Sequence, residues 1–170
     1  FQEEKFDLGR MFGFAYGEKE NGAVFSHMTV MYANALYQRG FVKEGYKALY
    51  TLLEQAMNTK VSRMYPGIPE YFDAQGKGKY PYLTGAASWY MMTVVTQIYG
   101  FRGLWGDLMI EPKILSKQFD ALGNFSAEIP YRGQIFSVVY QNPEHKEYGT
   151  YKISEIWIDG TLYKEPEEKS

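Results

Sequence analysis

The sequence predicts an α+β chain in which helices come first and strands follow, the end of a helical domain joined to a small antiparallel β-sandwich. Three observations carry this. Up to about Gly100 the apolar residues recur with a period close to 3.6; beyond it they alternate, and the turn dipeptides Arg132-Gly133 and Asp159-Gly160 appear. The helical and strand segments are also segregated rather than interleaved, which separates the chain from parallel α/β folds. The expected division falls between residues 1–103 and 104–170.

The elements follow in order. Residues 27 to 39 predict a helix with Met28, Met31, Ala35 and Leu36 on the face turned to the core, Ser26 as N-cap and Gly40 as the stop. A second helix is expected over 43 to 57, with Tyr46, Leu49, Leu52, Leu53 and Ala56 in one stripe. The short connection makes the two antiparallel neighbours. Residues 58 to 82 read as a long loop rich in proline and glycine, the kind of loop that carries function. Thr84 caps a third helix running to Tyr99, whose apolar positions Ala87, Met91, Val94, Val95 and Ile98 leave little polar face, so it should be nearly engulfed. DLMIEP predicts a strand stopped by Pro112; NFSAEIPYRGQIFSVVYQNP predicts two strands joined at Arg132-Gly133; ISEIWIDGTLYKE predicts a hairpin on Asp159-Gly160. Strands should therefore dominate residues 107 to 164, and the final PEEKS should fray.

Composition narrows the function. A chain of 170 residues, 45% hydrophobic and 18% aromatic, can bury a substantial core. Its net charge of -2, with Lys and Arg scattered, argues against nucleic acid and anionic lipid as partners. No run reaches the roughly 20 apolar residues of a membrane span, which predicts a soluble chain, with the cytoplasm as its default compartment. Absence of cysteine excludes disulfides and thiolate metal sites. HExxH, P-loop, GxGxxG and GxSxG motifs are all missing, and the histidines, His27 and His145, lie in different halves, so neither a metal nor a cofactor is expected. The start, a phenylalanine in mid-pattern without an initiating methionine, leads to the expectation of a C-terminal piece of something longer.

Two short stretches concentrate chemistry. In PYLTGAASWY, residues 81 to 90, Thr84-Gly85 opens a helix, and unpaired N–H groups at a helix start suit an anion, which glycine lets approach the backbone. Thr84 can equally be an ordinary N-cap, with Gly85 only allowing close packing. In GEKENGAVFSH, residues 17 to 27, His27 follows Glu20 by seven positions; this cluster reads either as a binding loop or as a solvated turn. His27 suits an anion because its charge is tunable near neutral pH. Tyr65, Tyr71, Phe72, Tyr80 and Trp89 can stack on sugars or fill a core. Glu18, Glu20, Glu70 and Asp73 could supply the carboxylate pair of a hydrolase, although no spacing selects two of them.

Taken together, KENGAVFSH, YLTGAASW and GDLMIEPKI resemble the C-terminal part of the inverting glycoside phosphorylases of glycoside hydrolase family 94, over roughly residues 13 to 120. The resemblance implies the last helices of an (α/α)6 barrel followed by a β-sandwich domain, and an enzyme in which inorganic phosphate cleaves a β-linked oligosaccharide with inversion. It further implies phosphate binding by His27, Thr84 and Gly85 and sugar binding by Lys19 and Glu20. Phosphate takes the place of both water and its general base, so an anion cradle substitutes for a second carboxylate. Ala23 stands where many members carry a second glycine. The family's aspartic general acid precedes the KENG segment, so no catalytic acid is expected in this chain. The implied partners are the glycoside, phosphate and the rest of the barrel, from the same or a complementing chain; a homodimer is compatible with this. Two other readings stay open: a non-catalytic carbohydrate-binding module, and a fragment of a glycoside hydrolase with a helical barrel. Neither needs an anion cradle.

Overall fold

The computed structural model describes residues 6–65, 67–82 and 84–163; the PEEKS end and residue 164 of the expected strand region lie outside the described residues. The chain is α+β, a mixture of helices and small antiparallel sheets. Its internal contacts form two compact units, Phe1–Lys113 and Ile114–Ser170, which groups the first long hairpin with the helices. Among the described residues no helix is long and apolar enough to cross a membrane.

In the first unit, helix α1 spans Ser26–Gln38 and α2 spans Val42–Met57. The reversal between them closes with bonds from the Gly40 amide to the Tyr37 carbonyl and from the Phe41 amide to the Leu36 carbonyl, 3.1 and 2.9 Å, a Schellman arrangement around glycine. Ser26 is the first helical residue rather than the expected N-cap, and its side chain makes no cap bond; Phe25 holds the N-cap position.

The expected core face of α1 is corrected by the packing. Met28 and Met31 are 65% and 44% exposed, while Val30, Ala33, Asn34 and Tyr37 are buried. Apolar residues surround this helix almost completely, so their spacing alone does not choose a face; close approach chooses it. Gly45 of α2 lies against Tyr37, where an added Cβ would come within 2.6 Å of the ring and 3.2 Å of the Ala33 carbonyl. Asn34 tolerates burial because it donates to Thr93 Oγ1 at 3.0 Å and accepts from Gln38 at 2.8 Å. On α2 Leu49, Leu52 and Ala56 of the expected stripe are buried, and Tyr46 and Leu53 are half-buried.

A single-turn helix α3, Thr59–Ser62, follows. The segment read as loop contains two very short strands, β2 at Tyr71–Phe72 and β3 at Gly78–Lys79. They pair with each other and, through β2, with β1 at Val24–Phe25, just before α1. Strands of two residues carry no readable alternation.

Helix α4 covers Gly85–Thr93 and continues as a π-helical turn, Val94–Ile98, marked by a Tyr99 amide bond to the Val94 carbonyl of 2.9 Å. It is not engulfed: Met91 and Met92 are 61% and 40% exposed, while Thr93 and Gln97 are buried. Polar demand explains this orientation. Thr93 meets Asn34, and Gln97 accepts from the buried Lys113 ammonium at 3.1 Å. Lys113 also donates to the Tyr37 carbonyl at 2.9 Å, placing a cation at the C-terminal end of α1, where the helix dipole favours it. Burial pushes its pKa down. Strands β4, Phe101–Leu104, and β5, Asp107–Ile110, form the hairpin that leads to this lysine.

The second unit contains β6, Asn124–Tyr131, paired with β7, Gln134–Gln141, and β8, Ile156–Ile158, paired with β9, Thr161–Tyr163. Arg132-Gly133 and Asp159-Gly160 turn with positive φ at both residues, the type I′ signature. Across β6 and β7, Phe125, Ala127 and Ile129 oppose Tyr140, Val138 and Phe136 on one face. Tyr151 ties this unit's first residue by donating to the Ile114 carbonyl at 2.9 Å and accepting from its amide at 3.1 Å.

The Gly45 contact yields a test. Alanine normally gains about 0.5–1 kcal/mol over glycine within a helix, whereas overpacking costs about 1–3 kcal/mol. Gly45→Ala is therefore expected to lower the urea unfolding midpoint, a net loss of about 1 kcal/mol or more. A raised midpoint would show that Tyr37 yields without cost.

Candidate functional site

The GEKENG stretch folds into a tight turn. The Asn21 amide bonds the Glu18 carbonyl at 3.0 Å, the Gly17 amide bonds the Asn21 carbonyl at 2.6 Å, and the Asn21 side chain fastens to the Phe14 carbonyl at 2.8 Å. Lys19 and Glu20 are its two central residues, and Lys19 takes φ 43°, a conformation uncommon outside glycine. The Lys19 ammonium lies 4.7 Å from the Tyr80 ring centroid and 5.6 Å from that of Phe14. Glu20 pairs with Arg10 at 3.2 Å on the exposed side.

His27, in the first turn of α1, meets the start of α4. A Cβ on Gly85 would fall 2.6 Å from Nδ1 and 2.9 Å from Nε2 of the imidazole, so only glycine admits the ring there. Trp89, one turn further along α4, lies 5.7 Å from the same ring. Among the described residues the Nε2 atom, like Ser26 Oγ and the Tyr37 hydroxyl, is buried without a hydrogen-bond partner, a costly state for a polar atom. Thr84 caps α4 by accepting from the Ala86 amide at 3.3 Å.

His27 and Gly85 are thus in contact, with Thr84 adjoining them. A series of aromatic rings runs from Lys19 toward both motifs: Tyr80 lies 5.6 Å from Tyr82, two residues before Thr84, and 5.7 Å from Tyr71, which is 5.4 Å from Phe25, two residues before His27. Glu20 turns instead to Arg10. His145 belongs to the second unit.

Sequence reasoning missed Lys79. Its ammonium lies 3.1 Å from Glu18 Oε1 and 3.4 Å from Asp73 Oδ2, and Glu18 Oε2 accepts from the Tyr71 hydroxyl at 2.8 Å. Hydrogen bonds from Tyr71 and Lys79 hold the Glu18 carboxyl below the usual range. Burial works to raise Asp73, but the amides of Lys77 and Gln75 and the Lys79 ammonium outweigh it and lower its pKa. Lys79 is raised, chiefly by its bond to Glu18; burial and Glu18 push the Tyr71 phenol up. Two carboxylates held ionised by a shared cation are poor proton donors, which leaves the hydrolase reading without an acid between Glu18 and Asp73. Among the described residues no cluster of three or more His, Asp or Glu could hold a metal ion.

The chain is similar to several disaccharide phosphorylases. It is 26% identical over 156 residues to the cellobionic acid phosphorylase of Neurospora crassa, with 83% of this chain covered. It is 28% and 27% identical to N,N'-diacetylchitobiose phosphorylases of Vibrio furnissii and Vibrio proteolyticus, with 86% and 87% covered. The chain spans 19% of the length of each of these relatives. No family model matches it. The resemblance to glycoside phosphorylases read from the three motifs is shown by these relatives over most of the chain.

The lowered carboxylates set an acid limit. Because Glu18 and Asp73 titrate below their ordinary values of 4.5 and 3.8, the stability they contribute is complete above pH 4.5 and is lost as pH falls through the folded values. Thermal unfolding followed against pH should show a steep acid limb in the unaltered protein and a flatter one in the Glu18→Gln/Asp73→Asn variant. Superimposable limbs would remove the cluster as its cause.

Proposed function

We propose that this chain is the phosphate-holding and part of the sugar-holding portion of a cytoplasmic inverting glycoside phosphorylase of glycoside hydrolase family 94 type. In this reading phosphate and a β-linked disaccharide or oligosaccharide are the substrates, and a sugar 1-phosphate is a product. The observation that carries it is the buried, unpartnered Nε2 of His27 set against the bare backbone of Gly85 at a helix start. A ring N–H, the Thr84 hydroxyl and the Gly85 amide are complementary to a phosphate, the Ala86 amide being taken by the Thr84 cap, and the positive end of α4 adds to their pull.

The chemistry follows from the charge. Phosphate, held by His27, Thr84 and the Gly85 amide, attacks the anomeric carbon from the face opposite the leaving oxygen. A carbon–oxygen bond to phosphate forms as the glycosidic bond breaks, and an acid protonates the departing oxygen. No residue of this chain is assigned as that acid. Lys19 and Glu20 hold sugar hydroxyls beside the reacting carbon. The exposed face of α1 and α4, with Met28, Met31 and Met91, is where the remainder of an (α/α)6 barrel would pack, and the hairpins of the second unit fit a small β-sandwich.

A charge-assisted hydrogen bond to an anion is worth about 1.5–3 kcal/mol, and 1.4 kcal/mol is about a factor of ten. In the complete protein, His27→Ala and Thr84→Ala are therefore expected to raise the KM for phosphate about tenfold or more. His27→Ala also removes a ring packed on Gly85 and Trp89, and Thr84→Ala loses a helix cap, which costs about 0.5–2 kcal/mol, so the KM for phosphate of the folded variants, not the melting temperature, decides. Unchanged phosphate dependence in both variants, or equally fast hydrolysis without phosphate, would replace the phosphorylase reading with the hydrolase one. Glycan binding with no turnover would favour the binding module.

A further inference from the structure

We propose that the β2–β3 hairpin grips the Glu18–Asn21 turn through two consecutive residues, Lys79 on the Glu18 carboxylate and Tyr80 on the Lys19 ammonium, and thereby sets affinity for the sugar. Glu18, Lys79 and Tyr80 are then positioning residues for Lys19 and, only through the backbone of the turn, for Glu20, whose side chain pairs with Arg10. The inference rests on the reading that these two side chains hold sugar hydroxyls.

Two long charged side chains at the tip of a turn would ordinarily sample many rotamers, and ordering them at the moment of binding costs affinity. Here the turn is held from one hairpin by attractions of different kinds. Lys79 offers a cation to the residue before Lys19, and Tyr80 offers a π face to Lys19 itself, at 3.1 Å and 4.7 Å. The Lys79 and Glu18 side chains are 31% and 35% exposed, so their pair is partly shielded, unlike a free surface ion pair.

The hairpin is itself fastened. Asp73 closes its turn by accepting the Gln75 and Lys77 amides at 3.0 and 2.9 Å and also faces Lys79. Gln55 of α2 donates to the Gly76 carbonyl at 2.7 Å, joining the hairpin to the helical layer. Tyr80 sits at φ 57° and Lys19 at φ 43°. Two non-glycine residues in the left-handed region, facing each other across a cation–π contact, mark a place where surroundings over-determine the backbone.

The complete protein is assayed with inorganic phosphate and cellobiose, cellobionic acid or N,N'-diacetylchitobiose, whichever it cleaves fastest. Tyr80→Leu and Lys79→Met are expected to raise the disaccharide KM about five- to tenfold, with the phosphate KM moving less than about twofold. Tyr80→Phe, which keeps the ring face, should recover most of the loss. Glu18→Gln combined with Lys79→Met should cost less than the sum of the two, since their shared ion pair is removed only once while Tyr71 and Asp73 are separate partners. Equal losses in Tyr80→Leu and Tyr80→Phe, or a phosphate KM rising in step, would overturn the grip in favour of a merely structural role. If the unaltered protein phosphorolyses none of the three, the activity reading falls. The grip is then decided by NMR of 13C-dimethylated lysines. An upfield ring-current shift at Lys19, assigned with Lys19→Arg, that collapses in Tyr80→Leu sustains it; its absence ends it.

Discussion

The helical unit depends on close approach at two glycines. Gly45 lets α2 lie against Tyr37 and the Ala33 carbonyl, and Gly85 lets the first turn of α4 lie against His27. Between those points α1 is held from two sides, and the side it turns inward is narrow and partly polar rather than the one richest in methionine. Once α1 is oriented this way, Asn34 must find Thr93, and the π turn carries Gln97 to Lys113. The polar bonds of this interior follow from the packing distance. They also reinforce it, because each buried group would be costly to leave unpaired.

The candidate site inherits that geometry. His27 is aimed at α4 because it stands one residue into α1, and α1 starts where β1 ends, beside β2. The small sheet therefore does more than close a loop. Through Tyr71 and Lys79 it connects the approach of the two helices to a turn more than fifty residues earlier in the chain. An unpartnered imidazole nitrogen is tolerable at the junction of these elements if its partner is a solute; Asn34, Gln97 and Lys113 have partners in this interior, whereas Ser26 Oγ and the Tyr37 hydroxyl share the state of His27.

The sequence made the helices, their stops and the later hairpins legible, because those features are local. Gly40 ends a helix and Asp159-Gly160 turns a hairpin regardless of what surrounds them. The buried face of α1 was not legible, since a helix apolar on nearly every side can be placed only by its neighbours. Nor were β2 and β3, whose two-residue lengths hold no period. In the site, motif similarity pointed to His27, Thr84 and Gly85, and the structure brings them side by side. Lys79 escaped because a lysine between glycine and tyrosine carries no local mark; its meaning comes from Glu18, 61 residues away.

The buried Lys113 has a consequence for the order of events in folding. Its bond to the Tyr37 carbonyl joins residues 76 apart, whereas α1 and α2 meet across a short reversal. Local pairing of that kind carries little loop-closure entropy and can form early; the lysine must wait until α4 and the hairpin after it are in place, and only then surrender its water. A contact made after the barrier adds little to the speed of descent and much to the height of the climb back. Lys113 is thus expected to govern how long the helical unit stays closed rather than how quickly it assembles.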